Sequence, residues 1–268
     1  MKYTIGVMIC LLLLIGTAWG HDVWDLYEGV QGTGDDAFWI TENVLSPNDP
    51  LQVHDLQAPS GYYDQDVFRI YPRQDRSYEV IGFNVTGDTG HVLIPSSTLL
   101  MYRYVPGPGD TIQSSARDPG GQTRMMRWIS TVSREEMIFA ENQYDASSNY
   151  SFYSIRLLDT TLFCPRFNNA GTQISVLLVQ STDPMPCVYK ALFYDEAGTL
   201  LKSTSDTNIN PVAVSVLALS SISELAGQKG SAKIAHTCGY GGVAAKLVAL
   251  EPATGFSFDT PCSYLPRR

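Results

Sequence analysis

The stretch DQDVFRIYPRQDRSYEV, residues 64–80, decides how the first half of this sequence is interpreted. In its first part Phe68 and Ile70 fall on one side of an extended chain, while Arg69 and Tyr71 fall on the other. This period of two residues is typical of a β-strand with one buried face. The stretch therefore predicts a strand before it predicts a cluster of catalytic acids.

A turn is predicted directly after this strand. Pro72 has no amide hydrogen to donate to a ladder, and residues 73–76 are polar. A second alternating segment begins near Tyr78, so the pattern favours a hairpin of two strands. The acids and arginines are then expected in the turn and on the solvent face.

The rest of the chain continues in the same style, with short segments rich in Val, Ile, Tyr, Phe and Thr between Gly and Pro. This layout predicts an all-β protein. One short helix is predicted at 221–226, where Ser221 and Glu224 form a capping box before Gly227. Strands are predicted near 51–56, 66–71, 77–85, 97–105, 122–130, 136–141, 149–158, 159–166, 173–180, 187–195, 211–219, 231–237 and 243–250.

The first 20 residues have the layout of a secretory signal peptide. Lys2 precedes an apolar run over residues 5–15, and small residues precede a cleavage point before His21. No later run is long and apolar enough to predict a membrane span. We therefore expect a secreted protein, periplasmic or extracellular.

Two abutting, jelly-roll-like β-sandwich domains are predicted after the signal peptide. Residues 21–45 have weak strand character and are expected to form an extended arm. The first sandwich is predicted over 46–158 and the second over 159–268. No flexible linker marks the join, so the domains are expected to pack against each other.

The charge and the cysteines limit the choice of function. The formal net charge of −9 argues against nucleic acid as a partner, because phosphate binding needs concentrated Lys and Arg. Four cysteines follow the signal peptide, all in the second half, and their spacing fits neither a zinc knuckle nor a redox Cys-x-x-Cys motif. Disulfides are predicted for all four: Cys164, Cys187, Cys238 and Cys262. Three pairings are open, and the local one, 164–187 with 238–262, is favoured.

The stretch at 64–80 also resembles the core of the bacterial pre-peptidase C-terminal domain family. The resemblance covers about residues 40–157, including SPNDP at 46–50, although Val67 stands where the family usually has Trp or Tyr. It implies a non-catalytic β-sandwich that in some members binds substrate polymer or holds calcium near its N-terminal segment. The segments TTLFCPRFNNAGTQISVLLVQ, ALFYDEAGTLL and KLVALEPATGFSFDTP of the second half resemble a functionally unassigned group of secreted bacterial proteins.

A calcium site is a hypothesis that the residues themselves also raise. Several oxygen-bearing side chains cluster in sequence around the first predicted strands, and hard cations bind sets of oxygens. The candidate ligands are Asn48, Asp49, Asp64 and Asp66. The competing interpretation is that these are loop acids in water.

Residue types point to two further candidate sites, a copper site and an aromatic platform. A new N-terminus at His21 could clamp copper, as in lytic polysaccharide monooxygenases, given a second histidine from His54, His91 or His236. Exposed tyrosines could form a stacking platform for sugar or peptide. The tyrosines considered are Tyr62, Tyr63, Tyr102, Tyr104, Tyr150 and Tyr153.

No hydrolase motif is present, so the sequence predicts a protein that is not an enzyme. The favoured function is a secreted structural, adhesive or interaction module with an extracellular protein or polysaccharide as partner. The first alternative is a carbohydrate- or protein-polymer-binding protein, with calcium as a cofactor. The remote alternative is the copper monooxygenase.

Overall fold

The computed structural model describes residues 41, 43–55, 65–84, 99–105, 111–117, 123–142 and 152–266. The predicted signal peptide and most of the predicted arm lie outside these residues. The described chain is almost entirely β-structure, as the sequence predicts.

Nine strands lie among the described residues before 160. They are β1 (Gln52–Asp55), β2 (Gln65–Ile70), β3 (Ser77–Asn84), β4 (Leu99–Tyr104), β5 (Thr111–Ser114), β6 (Ala116–Arg117), β7 (Thr123–Ile129), β8 (Glu136–Asn142) and β9 (Phe152–Asp159). They form two antiparallel sheets, sheet I in the order β1-β9-β3-β7-β6 and sheet II in the order β2-β8-β4-β5.

The pairing of these strands is nested. Strand β4 pairs with β5, β3 with β7, β2 with β8, and β1 with β9. A long hairpin rolled in this way, with its strands shared between two sheets, is the jelly-roll arrangement. The jelly-roll prediction is confirmed for this half of the chain.

The predicted hairpin at 64–80 is wrong, because its two strands belong to different sheets. Strand β2 pairs with β8 in sheet II, whereas β3 lies between β7 and β9 in sheet I. Residues 71–76 therefore cross from one sheet to the other. Both strands still turn apolar side chains to one core, since Phe68 and Ile70 pack in the same buried cluster as Tyr78 and Val80.

Ten strands follow residue 160. They are β10 (Leu162–Asn168), β11 (Ile174–Ser181), β12 (Cys187–Asp195), β13 (Leu200–Ser203), β14 (Thr207–Ile209), β15 (Val214–Ala218), β16 (Lys229–His236), β17 (Val243–Glu251), β18 (Phe256–Pro261) and β19 (Ser263–Tyr264). Sheet III has the order β13-β12-β16-β10-β19, with β14 also on β12, and sheet IV has the order β15-β11-β17-β18. A separate core lies between them, and it includes Phe167, Leu177, Phe193 and Leu247.

All four predicted cysteines are in disulfides, but the favoured local pairing is wrong. The bonds are Cys164–Cys262 and Cys187–Cys238. Each joins neighbouring strands of sheet III: Leu162 faces Tyr264, and Tyr189 faces His236, so the cysteines two residues further along also face each other. Strands that are distant in sequence become neighbours in this sheet. A pairing chosen because the cysteines are close in sequence cannot anticipate such neighbours.

The predicted helix at 221–226 is also not formed as expected. Two 3₁₀ turns, Leu219–Ser221 and Ser223–Leu225, take its place, and neither has a side-chain N-cap. The hydroxyl of Ser221 donates to the carbonyl of Ala218 at 2.7 Å instead of capping the next turn. Gly227, with φ of 72°, ends the segment as predicted.

Candidate functional site

A buried ion-pair network joins the two sandwiches. Glu79 on β3 and Arg127 on β7 are cross-strand partners on the face of sheet I that points away from its own core. Arg127 donates from Nε to Glu79 Oε1 at 2.6 Å and from Nη1 to Asp183 Oδ2, in the second sandwich, at 2.9 Å. The side chains of Glu79 and Asp183 are only 3% and 4% exposed. We call these three residues the interdomain lock.

Backbone amides complete the lock from the second sandwich. Gly239 N donates to Asp183 Oδ2 at 2.8 Å, and Tyr240 N donates to Glu79 Oε2 at 2.8 Å. Met185 N donates to Asp183 Oδ1 at 2.9 Å. Every oxygen of the two carboxylates therefore accepts a hydrogen bond, which is the condition under which buried charges are tolerated.

The position of Gly239 requires a residue without a side chain. A Cβ atom added there would lie 2.5 Å from Arg127 Nη2 and 3.2 Å from Glu79 Oε1. Only glycine lets the backbone of this loop approach the guanidinium closely enough to donate its amide to Asp183.

The turn at 73–76 forms a second set of contacts with the second sandwich. Asp75, whose φ is 58°, accepts from Lys190 Nζ at 3.1 Å. Arg76 donates to Asp159 at 2.8 Å and lies over the ring of Phe163, 5.5 Å from its centroid. The expectation that the acids and arginines of this stretch face solvent is therefore wrong for Asp75, Arg76 and the buried Glu79.

A short, buried joint connects the two sandwiches along the chain. Asp159, Thr160 and Thr161 are each at most 1% exposed. Ser77 N donates to Thr161 Oγ1 at 3.0 Å, and Thr160 N donates to Ser77 O at 2.9 Å. The joint is thus bonded to the start of β3 and forms part of the packed structure.

A buried histidine and a tyrosine lie behind the lock. His236 is fully buried and its Nδ1 lies 3.1 Å from the carbonyl oxygen of Cys238. Burial lowers the pKa of His236 to about 4, because a charged imidazolium would lose its hydration there. Burial also raises the pKa of Tyr264 to about 12, and its hydroxyl donates to Val243 O at 2.8 Å. His236 is therefore neutral at pH 7.

The four predicted calcium ligands are placed as follows. Asp64 lies outside the described residues. Asp66 is buried in sheet II, and its Oδ2 accepts a short hydrogen bond from the hydroxyl of Tyr153. Asn48 Oδ1 accepts from Asp159 N at 3.1 Å, and Asp49 is half-buried beside it. Within the described ranges, no group of three or more His, Cys, Asp or Glu side chains has a metal-binding arrangement.

Asn48 and Asp66 lie at different levels of the first sandwich. Asn48 N bonds to Leu157 O and Asp66 bonds to Tyr153, four residues earlier on β9. A strand rises by about 3.3 Å per residue, so these levels are separated by roughly 13 Å. Asn48 and Asp66 are therefore not brought together.

Of the four histidines proposed as copper ligands, the two that the structure describes, His54 and His236, lie in different sandwiches. His54 is buried in the first sandwich, in edge-to-face contact with Phe68 at 4.7 Å between ring centroids. His236 is buried in the second sandwich, and His21 and His91 lie outside the described residues.

Part of the predicted aromatic platform forms a cluster on the outer face of sheet II. The Tyr102 and Tyr104 rings lie 6.2 Å apart, and Tyr104 contacts Phe139 at 4.8 Å. All three side chains are half-buried. Tyr153 does not join this cluster because it is fully buried, and Tyr62, Tyr63 and Tyr150 lie outside the described residues.

The outer face of sheet IV is aliphatic at the edge formed by β15. Val214 and Val216 on the edge strand β15 are 54% and 64% exposed. Val216 faces Leu178 on β11, which is half-buried on the same side. Antiparallel sheets usually alternate apolar residues inside with polar residues outside, and this face does not follow that pattern.

The residues that the sequence analysis missed are Arg127 and Asp183. The sequence around each of them is typical of a strand or a loop without a functional motif. The hydrogen bond between them joins positions 56 residues apart in the chain. The available signal was weak: Glu79 is the single charge of β3, and Arg127 is one of two arginines in β7, both strands being otherwise rich in large apolar side chains.

Comparisons with known proteins identify no family for this chain. No protein-family model matches it, and no curated protein matches it. Among solved structures, it is similar to the pre-peptidase C-terminal domain of collagenase from Bacillus anthracis, with 10% identity over 43% of this chain and 92% of that chain. This neighbour belongs to the class of domain that the first half resembles in sequence. Its TM-score of 0.31 is too low to support a conclusion about this chain. The β-sandwich fold rests on the sheets described above.

Two observations bear on location. No helix in the described ranges is long and apolar enough to cross a bilayer. The two disulfides fit a protein that is held outside the reducing cytoplasm.

Proposed function

We propose that this protein is an exported, non-catalytic structural or interaction module whose two sandwiches act as one unit. The observation that supports this is the interdomain lock. The two buried carboxylates of the lock, Glu79 and Asp183, have every oxygen engaged by the protein itself. A general acid or base must have a proton site within reach of substrate, and these groups offer none.

The test pairs adhesion with turnover. The purified protein is incubated with insoluble polysaccharides and collagen-like polymers, and both pull-down and soluble products are measured. Binding without products is expected. Products that disappear in Glu79→Gln or Asp183→Asn, while the thermal melt stays cooperative, would show a catalytic carboxylate and overturn the proposal.

Export itself is tested at the N-terminus. Mass spectrometry of the protein recovered from its native compartment is expected to find a chain that begins at His21. An intact N-terminus carrying residues 1–20 would contradict export through this signal peptide. Metal analysis of the same material tests the copper alternative, which requires tight binding of about one copper ion per chain.

A polymer-binding role is the second candidate, and the cluster of Tyr102, Tyr104 and Phe139 favours it. Flat rings on a sheet face can stack on sugar rings or on peptide side chains. The double variant Tyr102→Ala/Tyr104→Ala is expected to lose retention on an insoluble polysaccharide. The matched control is Phe256→Ala, which removes an aromatic ring that is 75% exposed on the second sandwich. Equal loss in both proteins would exclude this cluster as a specific site.

Calcium dependence is proposed as a further property of this binding role. A ligand that binds only the folded state of a protein raises the melting temperature of that protein. Calcium is expected to raise the melting temperature and EDTA to reverse the shift, with Asp49→Asn reducing the effect. A melting temperature that does not change in EDTA would contradict the proposal that the protein binds calcium.

A further inference from the structure

The two disulfides of the second sandwich have different surroundings, and one of them frames the interdomain lock. Cys238 directly precedes Gly239, whose amide bonds Asp183. Cys187 comes two residues after Met185, whose amide bonds the other oxygen of Asp183. The Cys187–Cys238 bond therefore joins covalently the two loops that together receive Arg127.

The other disulfide also belongs to sheet III, at the edge that β19 forms. Cys164 is on β10, which has β16 on one side and β19 on the other, and Cys262 immediately precedes β19. Sheet hydrogen bonds hold both flanking strands in place. Neither Cys164 nor Cys262 lies within two residues of Met185, Gly239 or Tyr240, whose amides bond the carboxylates of the lock.

The loops that carry the lock are held to each other by only a few hydrogen bonds, although the strands β12 and β16 that lead into them are paired over seven residues. Residues 182–186 and 237–242 lie at the ends of sheet strands. Thr182 N bonds Gly242 O at 2.9 Å and Thr237 N bonds Val188 O at 2.9 Å. A disulfide constrains two segments more strongly than any one hydrogen bond between them. The covalent bond is thus the strongest single link between the two loops of this half of the lock.

We propose that Cys187–Cys238 is an oxidation-dependent coupler of the two sandwiches. When the bond forms, the two thiols give up two electrons and two protons to a disulfide-bearing oxidant, which leaves as a dithiol. The loops are then fixed so that Asp183 and Gly239 face Glu79 and Arg127. In the reduced chain both sandwiches fold around their own cores, but the lock is weakened, so the coupled form arises only after the chain reaches an oxidising compartment.

The test uses the full chain with each disulfide removed in turn. Cys187→Ala/Cys238→Ala is compared with the matched control Cys164→Ala/Cys262→Ala, by calorimetry and by small-angle scattering. The first variant is expected to unfold in two transitions and to have a larger radius of gyration than the parent. The control is expected to melt at a lower temperature in a single transition, with the radius of gyration unchanged.

Three outcomes would overturn the proposal. The first is that Cys187→Ala/Cys238→Ala keeps one transition and the parent dimensions. The second is that both variants uncouple to the same degree, which would make the effect a general one of lost stability. The third is loss of the sheet signal in circular dichroism of the first variant at low temperature, because the proposal requires both sandwiches to fold without this bond. These results do not depend on what the module binds, so the proposed function is tested separately.

Discussion

Asp66 is a buried polar side chain that a specific partner holds in place. Its position on β2 suggested a calcium ligand, yet the carboxylate is 1% exposed and bonded to the hydroxyl of Tyr153. A carboxylate buried in a sandwich is destabilising unless donors satisfy it. The Tyr153 hydroxyl is such a donor, and it joins a strand of sheet I to a strand of sheet II.

Removing that donor is expected to destabilise the first sandwich. Tyr153→Phe keeps the ring and deletes only the hydroxyl, so the free energy of unfolding should fall by about 1–3 kcal/mol, the cost of leaving a buried acceptor short of a partner. Chemical denaturation measures the change. Tyr71→Phe is the matched control, since its hydroxyl bonds Glu135 at the exposed surface, and it is expected to change stability by less than about 0.5 kcal/mol. Equal effects would show that the bond to Asp66 is not special.

His236 predicts how stability depends on pH. Its pKa is about 4 in the folded protein, against 6.5 for the ordinary imidazole, because burial disfavours the charged form. Between these two values the unfolded state binds more protons than the folded state, so stability must fall as pH drops from 6.5 towards 4. Over the whole window, His236 lowers the free energy of unfolding by about 3 kcal/mol, because one unit of pKa difference corresponds to about 1.4 kcal/mol.

The measurement is chemical denaturation at several pH values with His236→Gln beside the parent. The difference in stability between parent and variant should change across the window from pH 6.5 to 4 and stay constant above pH 7. A constant difference at every pH would mean that His236 does not titrate on unfolding.

At the scale of strands, the sequence predicts where strands lie much better than which strands pair. Alternation at β2 and β3 is a local property, and both strands form where it predicts them. Their partners, β8 for β2 and β7 and β9 for β3, come from segments far along the chain. Because a polar turn after a proline fits a hairpin and a crossing equally well, the pattern alone could not choose between them.

The same limit explains the site. Glu79 and Arg127 become neighbours only through the pairing of β3 with β7, and Asp183 reaches them only after the second sandwich docks. The strands β5, β6, β13, β14 and β19 were missed because they have at most four residues, too few to show a period. Strand β18 has six residues, but nearly all are exposed, so it has no buried face to produce alternation.

The joint at 159–161 allows a test of how the two sandwiches are connected. Thr161→Val preserves the shape of the side chain but removes the oxygen that accepts from Ser77 N at 3.0 Å. The buried amide then has no acceptor there, and a loss of about 1–3 kcal/mol is expected in chemical denaturation. Thr172→Val is the control, because its hydroxyl bonds Glu251 at the exposed surface. If both variants lost equally little, the joint would act only as a tether.

For the whole molecule, the decisive feature is that two separate cores are joined by charge rather than by a shared apolar layer. Each sandwich has its own cluster of buried apolar residues. The contacts between them centre on Arg127, with the Asp75–Lys190 pair and the contact of Arg76 with the Phe163 ring to one side. Coupling of this kind depends on complete pairing, because a buried charge that loses its partner is strongly destabilising.

Arg127→Met tests this arrangement directly. The variant keeps an unbranched apolar side chain and leaves Glu79 and Asp183 as buried carboxylates without their cation, so a loss of about 3–5 kcal/mol is expected. Calorimetry should then resolve two transitions, one for each sandwich, where the parent shows one. The triple variant Glu79→Gln/Arg127→Met/Asp183→Asn removes the uncompensated charges and is expected to recover most of the lost stability. If the triple variant were as unstable as Arg127→Met, shape rather than charge would hold the sandwiches together.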